Sequence, residues 1–216
     1  MILVVDYGMG NLRSVSKALE SLGAQVRVSS DPRDVAQADK IVLPGVGAFP
    51  AAMQELRRRR LVDPIAEVLE QGKPYLGICL GLQLLFEYSE EAGGAEGLKV
   101  LPGAVRQFPI NLTTSGGQGF LKVPHIGWNQ IVRRPTSLAG GEEECPLLLG
   151  IPDGSFFYFV HSFYPEPTRP ELTVLETQYG EWFTSMVCRD NIFATQFHPE
   201  KSQALGLKLL ENFIRL

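Results

Sequence analysis

The sequence predicts an α/β fold: an open, mostly parallel central sheet with helices on both faces and antiparallel strand additions, in a single domain over residues 1–216. Two features carry this expectation. Short apolar runs alternate with segments of helical periodicity through the first half, the signature of parallel βαβ units. Runs rich in β-branched and aromatic residues then dominate the second half, as expected of antiparallel strands.

Taken in order, residues 2–5 (ILVV) form an apolar run ending at an acidic, glycine-rich turn. Residues 11–22 place Leu12, Val15, Leu19 and Leu22 at helical spacing, and Gly23 follows as a helix stop. Strands are expected at 25–28 and at 41–43, where Pro44 and Gly45 end the run. Helices are expected at 53–56 and 64–69. A fourth strand at 75–78 leads into a helix at 80–88. Later strands are expected at 100–108, 128–132, 156–163, 172–177, 183–188 and 192–196. Residues 203–216 close the chain as an amphipathic helix with Leu207, Leu210 and Phe213 among its apolar positions. Residues 113–119 and 138–150, rich in glycine or acidic residues, read as mobile loops.

Composition excludes several classes. Hydrophobic residues make up 44% and charged residues 20%, ordinary for a globular protein of 216 residues. A net charge of −4 argues against a nucleic-acid binder, whose domain is basic. No stretch approaches the ~18 apolar residues that span a bilayer, and the start MILVVDYGMG lacks a signal-peptide pattern, so a cytoplasmic protein is expected. Three dispersed cysteines (Cys79, Cys145 and Cys188) do not make a disulfide framework. Cysteine and histidine spacings fit no zinc site, so no metal and no cofactor are expected. Gly8-Met9-Gly10 follows the first strand, but Arg13 stands where a dinucleotide fingerprint needs its third glycine, which excludes NAD. Arg57 to Arg60 reads as a solvated helix face.

The chemistry concentrates at two strand ends. In Gly77-Ile78-Cys79-Leu80-Gly81-Leu82-Gln83 a buried strand becomes a helix, with glycines two before and two after the cysteine. That pattern permits a sharp nucleophile elbow, and the start of a following helix favours the thiolate. The alternative is a buried cysteine acting as a small hydrophobe. A cysteine nucleophile needs a base and a group to orient it. His198-Pro199-Glu200 supplies both, after a strand and at the edge where open α/β sheets hold their sites. Cys145 and Cys188 have no base nearby in sequence and read as structural.

GICLGLQ together with FHPEK resembles the Cys-His-Glu triad of class I glutamine amidotransferases, a flavodoxin-like α/β family. The segments VDYGMGNLRSV, PGVGAF, PHIGWN and YFVHSFY resemble one branch of it, the glutaminase subunits of imidazole glycerol phosphate synthase in histidine biosynthesis. The resemblance implies Cys79 as nucleophile, His198 as acid/base and Glu200 as orienting carboxylate. It implies an oxyanion hole at Leu80 and around Gly45, Val46 and Gly47, and a glutamine pocket lined by Gln83, Glu91, Ser162 and Phe163. Position 163 often carries tyrosine in this branch; phenylalanine here lacks the hydroxyl. The resemblance further implies a separate (β/α)8-barrel cyclase subunit that consumes the ammonia, contacted through Tyr7, Asn11, His125, Trp128, Asn129, Tyr158, His161 and Lys201. The two glycines of Gly45-Val46-Gly47 allow a peptide flip that completes the oxyanion hole only when that partner is loaded; a plain turn is the alternative. Another class I amidotransferase, a γ-glutamyl hydrolase, or a silent scaffold subunit are the rival functions.

Overall fold

The apolar runs of the first half become β1 (Ile2–Val5), β2 (Val26–Ser29), β3 (Lys40–Gly45) and β4 (Tyr75–Cys79). In the computed structural model, which describes residues 1–109, 111–113, 119–134 and 145–216, these strands pair in parallel with one another and with β14 (Ile192–Thr195). The main sheet has the order β2-β1-β3-β4-β14-β13-β12-β9, where β13 (Glu181–Arg189), β12 (Thr173–Tyr179) and β9 (Val132–Arg133) are antiparallel additions.

Alternation along the parallel strands builds two cores. Leu3, Val5, Ile41, Leu43 and Tyr75 point to one face. There they meet α2 (Pro32–Gln37), α3 (Phe49–Arg58) and α4 (Val62–Glu70) through Val35, Met53, Leu56, Ile65 and Val68. Ile2, Val4, Val42, Leu76 and Ile78 point to the other face and meet α1 (Leu12–Ser21) and α6 (Gln203–Arg215) through Val15, Leu19, Leu209, Leu210 and Phe213. Helices therefore cover both faces. Asn11 caps α1 by accepting from the Ser14 amide at 3.3 Å. Pro32 opens α2 behind Asp31, whose carboxylate accepts from the Arg33 amide at 2.9 Å. That helix went unread in the sequence although an aspartate cap followed by proline is its signal.

Three expectations need correction. The helix expected at 80–88 is a single turn, α5 (Leu80–Gln83), followed by β5 (Phe86–Ser89). Leu82, Leu84, Leu85 and Phe86 are all buried, and an apolar run with no exposed side has no period to distinguish helix from strand. The run at 156–163 is two strands, β10 (Phe156–His161) and β11 (Phe163–Pro167), which part at Ser162. They join different partners. β10 pairs with β8 (His125–Gln130) as a separate ribbon, and β11 pairs with β7 (Leu101–Gln107) in a second sheet of order β11-β7-β5-β6, with β6 at Ala95–Glu96. Lastly, residues 145–150 are a packed turn and not a loose loop. Leu147 and Leu148 are buried, and the Asn212 side chain of α6 donates to the Leu147 and Leu149 carbonyls at 3.0 and 2.8 Å. Residues 114–118 and 138–144 of the two expected loops lie outside the described residues.

Candidate active site

Cys79 ends β4 with φ 55° and ψ −106°, a backbone conformation that a non-glycine residue adopts only under constraint, at a cost on the order of 1–3 kcal/mol. The constraint comes from both neighbours. Gly45 of β3 stands opposite Cys79. A Cβ on Gly81 would lie 1.8 Å from the Leu43 carbonyl oxygen, so the turn after the cysteine presses directly on β3. A Cβ on Gly77 would lie 2.6 Å from the Gly81 carbonyl oxygen. The buried Tyr75 hydroxyl donates to that carbonyl at 2.9 Å. The elbow expected from the glycine spacing is present, and both glycines serve close approach.

The elbow sets the sulfur at a cavity of about 280 Å³. Its lining includes Val46, Gly47, Leu80, Gln83, Glu91 and Phe163 around Cys79, with Ser162 and His161 beside them. All four residues expected in the glutamine pocket therefore lie around one cavity. Gly47 has φ +100°, and a Cβ on Gly45 would meet the Tyr7 hydroxyl at 2.3 Å and Leu80 Cβ at 2.8 Å. Leu80 N–H belongs to the first turn of a helix, where amides have no intrahelical acceptor. Glu91 uses Oε2 to accept from the Phe49 amide at 2.7 Å, which supplies the cap that Ala48 cannot.

His198 and Glu200 follow β14, the strand beside β4. His198 Nδ1 pairs with Glu200 Oε1 at 2.8 Å, and the two side chains are 2% and 1% exposed. Burial works against charge on the imidazole. The Cys79 sulfur and then Glu200 outweigh it, and the His198 pKa rises to about 10. Among the described residues Nε2 has no hydrogen bond of ordinary geometry, and the sulfur acts on the imidazole through its charge and a loose hydrogen-bonding approach; catalytic contacts are commonly loose before substrate binds. The helix-start support expected for the thiolate is small, because α5 aligns the dipoles of only one turn.

The eight residues assigned to a partner surface divide. Trp128 (45% exposed) is on the open face of the β8–β10 ribbon with Ile126 (59%) and Phe156 (52%). Lys201 Nζ sits 5.6 Å from the centre of the Tyr158 ring, and Asn11 and Asn129 are partly exposed. Tyr7, His125 and His161 are buried in this chain, away from that open face. Tyr7 packs under Gly45, its hydroxyl without a hydrogen-bond partner among the described residues, and burial followed by the Cys79 charge pushes its pKa above the usual tyrosine value. Strand alternation explains the two histidines: 125 and 161 face each other on the inner side of the ribbon, while 126 and 128 face out. Gln196, also buried, was missed, although a polar residue closing an apolar run two positions before the histidine is a readable signal. Cys145 and Cys188, distant in sequence, hydrogen-bond to each other, which lowers the Cys145 pKa.

His125 and His161 also predict a pH effect. Burial lowers their pKa values to about 4 and about 3, with His125 adding to the shift at His161. In the unfolded chain both titrate near ~6.5. The stabilisation is complete above that value and is lost as pH falls towards 4, because the unfolded chain binds protons the folded chain refuses. The urea midpoint is expected to drop over this window, and to drop less steeply in His161→Phe. Equal slopes for both proteins would contradict the assignment.

The family Glutamine amidotransferase class-I matches residues 3–216. The imidazole glycerol phosphate synthase subunit HisH of Syntrophotalea carbinolica is 50% identical over 214 residues, covering 99% of this chain and 98% of the relative. The protein of the same name from Aquifex aeolicus is also 50% identical over 214 residues, covering 99% and 95%. Among solved structures, PurLQS from Thermotoga maritima superposes with a TM-score of 0.71 at 19% identity, covering 99% of this chain and 97% of that one. A glutamine amidotransferase crystal structure gives 0.70 at 16%, with both chains fully covered. These last two speak for the fold alone. With a full-length family match and half of its residues shared with such relatives, the chain belongs to the class I glutamine amidotransferases, in the family of HisH subunits of imidazole glycerol phosphate synthase.

Proposed function

We propose that this chain, the glutaminase subunit of imidazole glycerol phosphate synthase in histidine biosynthesis, hydrolyses glutamine through a γ-glutamyl thioester on Cys79 and passes the ammonia to a cyclase subunit. The observation that carries this reading is the strained elbow, which holds the Cys79 sulfur at a cavity beside the His198–Glu200 pair. Glutamine enters with its side-chain amide at the sulfur. The thiolate attacks the carboxamide carbon. The oxyanion that forms is met by the Leu80 amide and an amide of the Gly45-Val46-Gly47 turn, preorganised donors worth roughly 3 kcal/mol each. His198 gives its Nε2 proton to the departing ammonia, then takes a proton from the water that hydrolyses the thioester. Glu200 keeps the other imidazole nitrogen protonated and the ring oriented.

Ammonia released to water is protonated and lost as a nucleophile, so a consumer must sit against the site. The outward face of the β8–β10 ribbon suits it: Ile126, Trp128, Phe156 and Tyr158 give an apolar surface with Lys201 at its edge. The same ribbon borders the nucleophile, since the Val160 carbonyl is 3.8 Å from Cys79 Sγ and the His198 amide donates to the Tyr158 carbonyl at 2.9 Å. In this reading the partner is the cyclase that makes imidazole glycerol phosphate and AICAR, and both work in the cytoplasm. Among the described residues no helix is long and apolar enough to cross a membrane.

The test is co-purification with the cyclase followed by product assay. Glutamine alone is expected to support synthesis by the complex, and a glutamine-analogue chloroketone to label Cys79. Glutaminase activity is expected to be low for the isolated chain and to rise when the cyclase and its ligand are added. High activity of the chain alone would sink the peptide-flip gate while leaving the nucleophile assignment intact.

A further inference from the structure

The side chain of Gln196 is fully buried at the end of β14, and no role follows for it from the triad. Its Nε2 lies 3.6 Å from Cys79 Sγ, and its Oε1 accepts from Gln83 Nε2 at 3.1 Å. Taken singly, an amide's oxygen and nitrogen are hard to tell apart. Here the neighbours decide. The Phe163 carbonyl can only accept, and it receives His161 Nδ1–H at 2.9 Å and Gln83 Nε2–H at 2.9 Å. That fixes the Gln83 amino group, whose second N–H reaches Gln196. Gln196 must answer with its oxygen, so its own amino group faces the sulfur. His161 is held in turn: its Nε2 accepts from His125 Nδ1 at 3.1 Å, and His125 Nε2 accepts from Asn129 Nδ2 at 3.3 Å.

An N–H aimed at sulfur stabilises the anion over the thiol. The Val160 carbonyl at 3.8 Å does the opposite, since only the thiol can donate to it. We propose that Gln196 is a positioning residue for the nucleophile, presenting its amide N–H to Cys79 and holding the sulfur as a thiolate aimed into the cavity, with Gln83 and the Phe163 carbonyl locking the amide's direction. The proposal rests on the reading of Cys79 as the nucleophile. The other titratable groups around the sulfur are His198 with Glu200 behind it, Tyr7 beneath the elbow, and His161 and Glu91 on the cavity wall.

Alkylation of the Cys79 peptide by iodoacetamide, followed against pH by mass spectrometry on the full chain, reads the effect. Gln196→Leu removes the donor, and the midpoint is expected to rise by about one pH unit. The glutamine-dependent kcat of the complex should fall roughly 10- to 100-fold with KM little changed. Gln196→Glu replaces the donor with an acceptor and should move the midpoint further in the same direction. Gln83→Met, which frees the amide to rotate, should give a smaller shift of the same sign and serves if the Gln196 variants do not fold. Midpoints equal to wild type in folded variants overturn the role of Gln196. A wild-type chain that takes no chloroketone at Cys79 overturns the nucleophile reading instead.

Discussion

In the assembled complex, Cys79→Ala is expected to lower glutamine-dependent synthesis at least about 10⁴-fold and to leave synthesis from added ammonium salt near wild type. The size follows from what the sulfur does. It is the atom that forms the thioester, and alanine offers nothing in its place, while the oxyanion donors and pocket that remain account for only a residual rate. The selectivity follows from where it sits. Cys79 is at the elbow between β4 and α5, behind the β8–β10 ribbon, so its loss leaves the outward face of that ribbon unchanged. Steady-state assays with each nitrogen source check both halves. Loss of both activities together would mean that the cysteine supports the assembly and is not the nucleophile.

Gly81→Ala is expected to cost on the order of 3 kcal/mol of stability or more and to slow Cys79 labelling by over ~100-fold. The new methyl would stand 1.8 Å from the Leu43 carbonyl oxygen and 2.9 Å from its carbon, both backbone atoms of the sheet that cannot swing aside. Either β3 moves, which disturbs Gly45 opposite the nucleophile, or the elbow relaxes and Cys79 leaves its strained conformation. Both routes displace the sulfur from His198. Gly119→Ala, where no other described residue lies within 4 Å of the added carbon, is the matched control. Urea unfolding and chloroketone labelling measure the two effects; wild-type values for both would show that the close contact does not hold the elbow.

Much of this protein was legible in its residues because the signals are local. Gly77 and Gly81 flank Cys79 at the spacing that a tight strand-to-helix turn requires, and His198-Pro199-Glu200 follows a strand, so the elbow and the histidine–carboxylate pair were readable without coordinates. The parallel core was readable too, since β1, β3 and β4 are apolar runs separated by segments of helical spacing. What misled was the absence of period: an apolar stretch buried on every side, such as 82–86, carries no record of whether it coils or extends.

The tertiary structure alone decided which face each side chain takes and what it meets there. His125 and His161 lie in segments that also carry exposed residues, and only strand pairing turned them inward, while Tyr7, just past the end of β1, is buried against Gly45. Gln196 and Gln83 are 113 residues apart in the chain, and the direction of their amides depends on a carbonyl at Phe163 contributed by another sheet. Sequence determines local conformation through sterics and periodicity; a hydrogen-bond network assembled from β14, α5, β11 and the ribbon exists only once long-range pairing has brought those elements together.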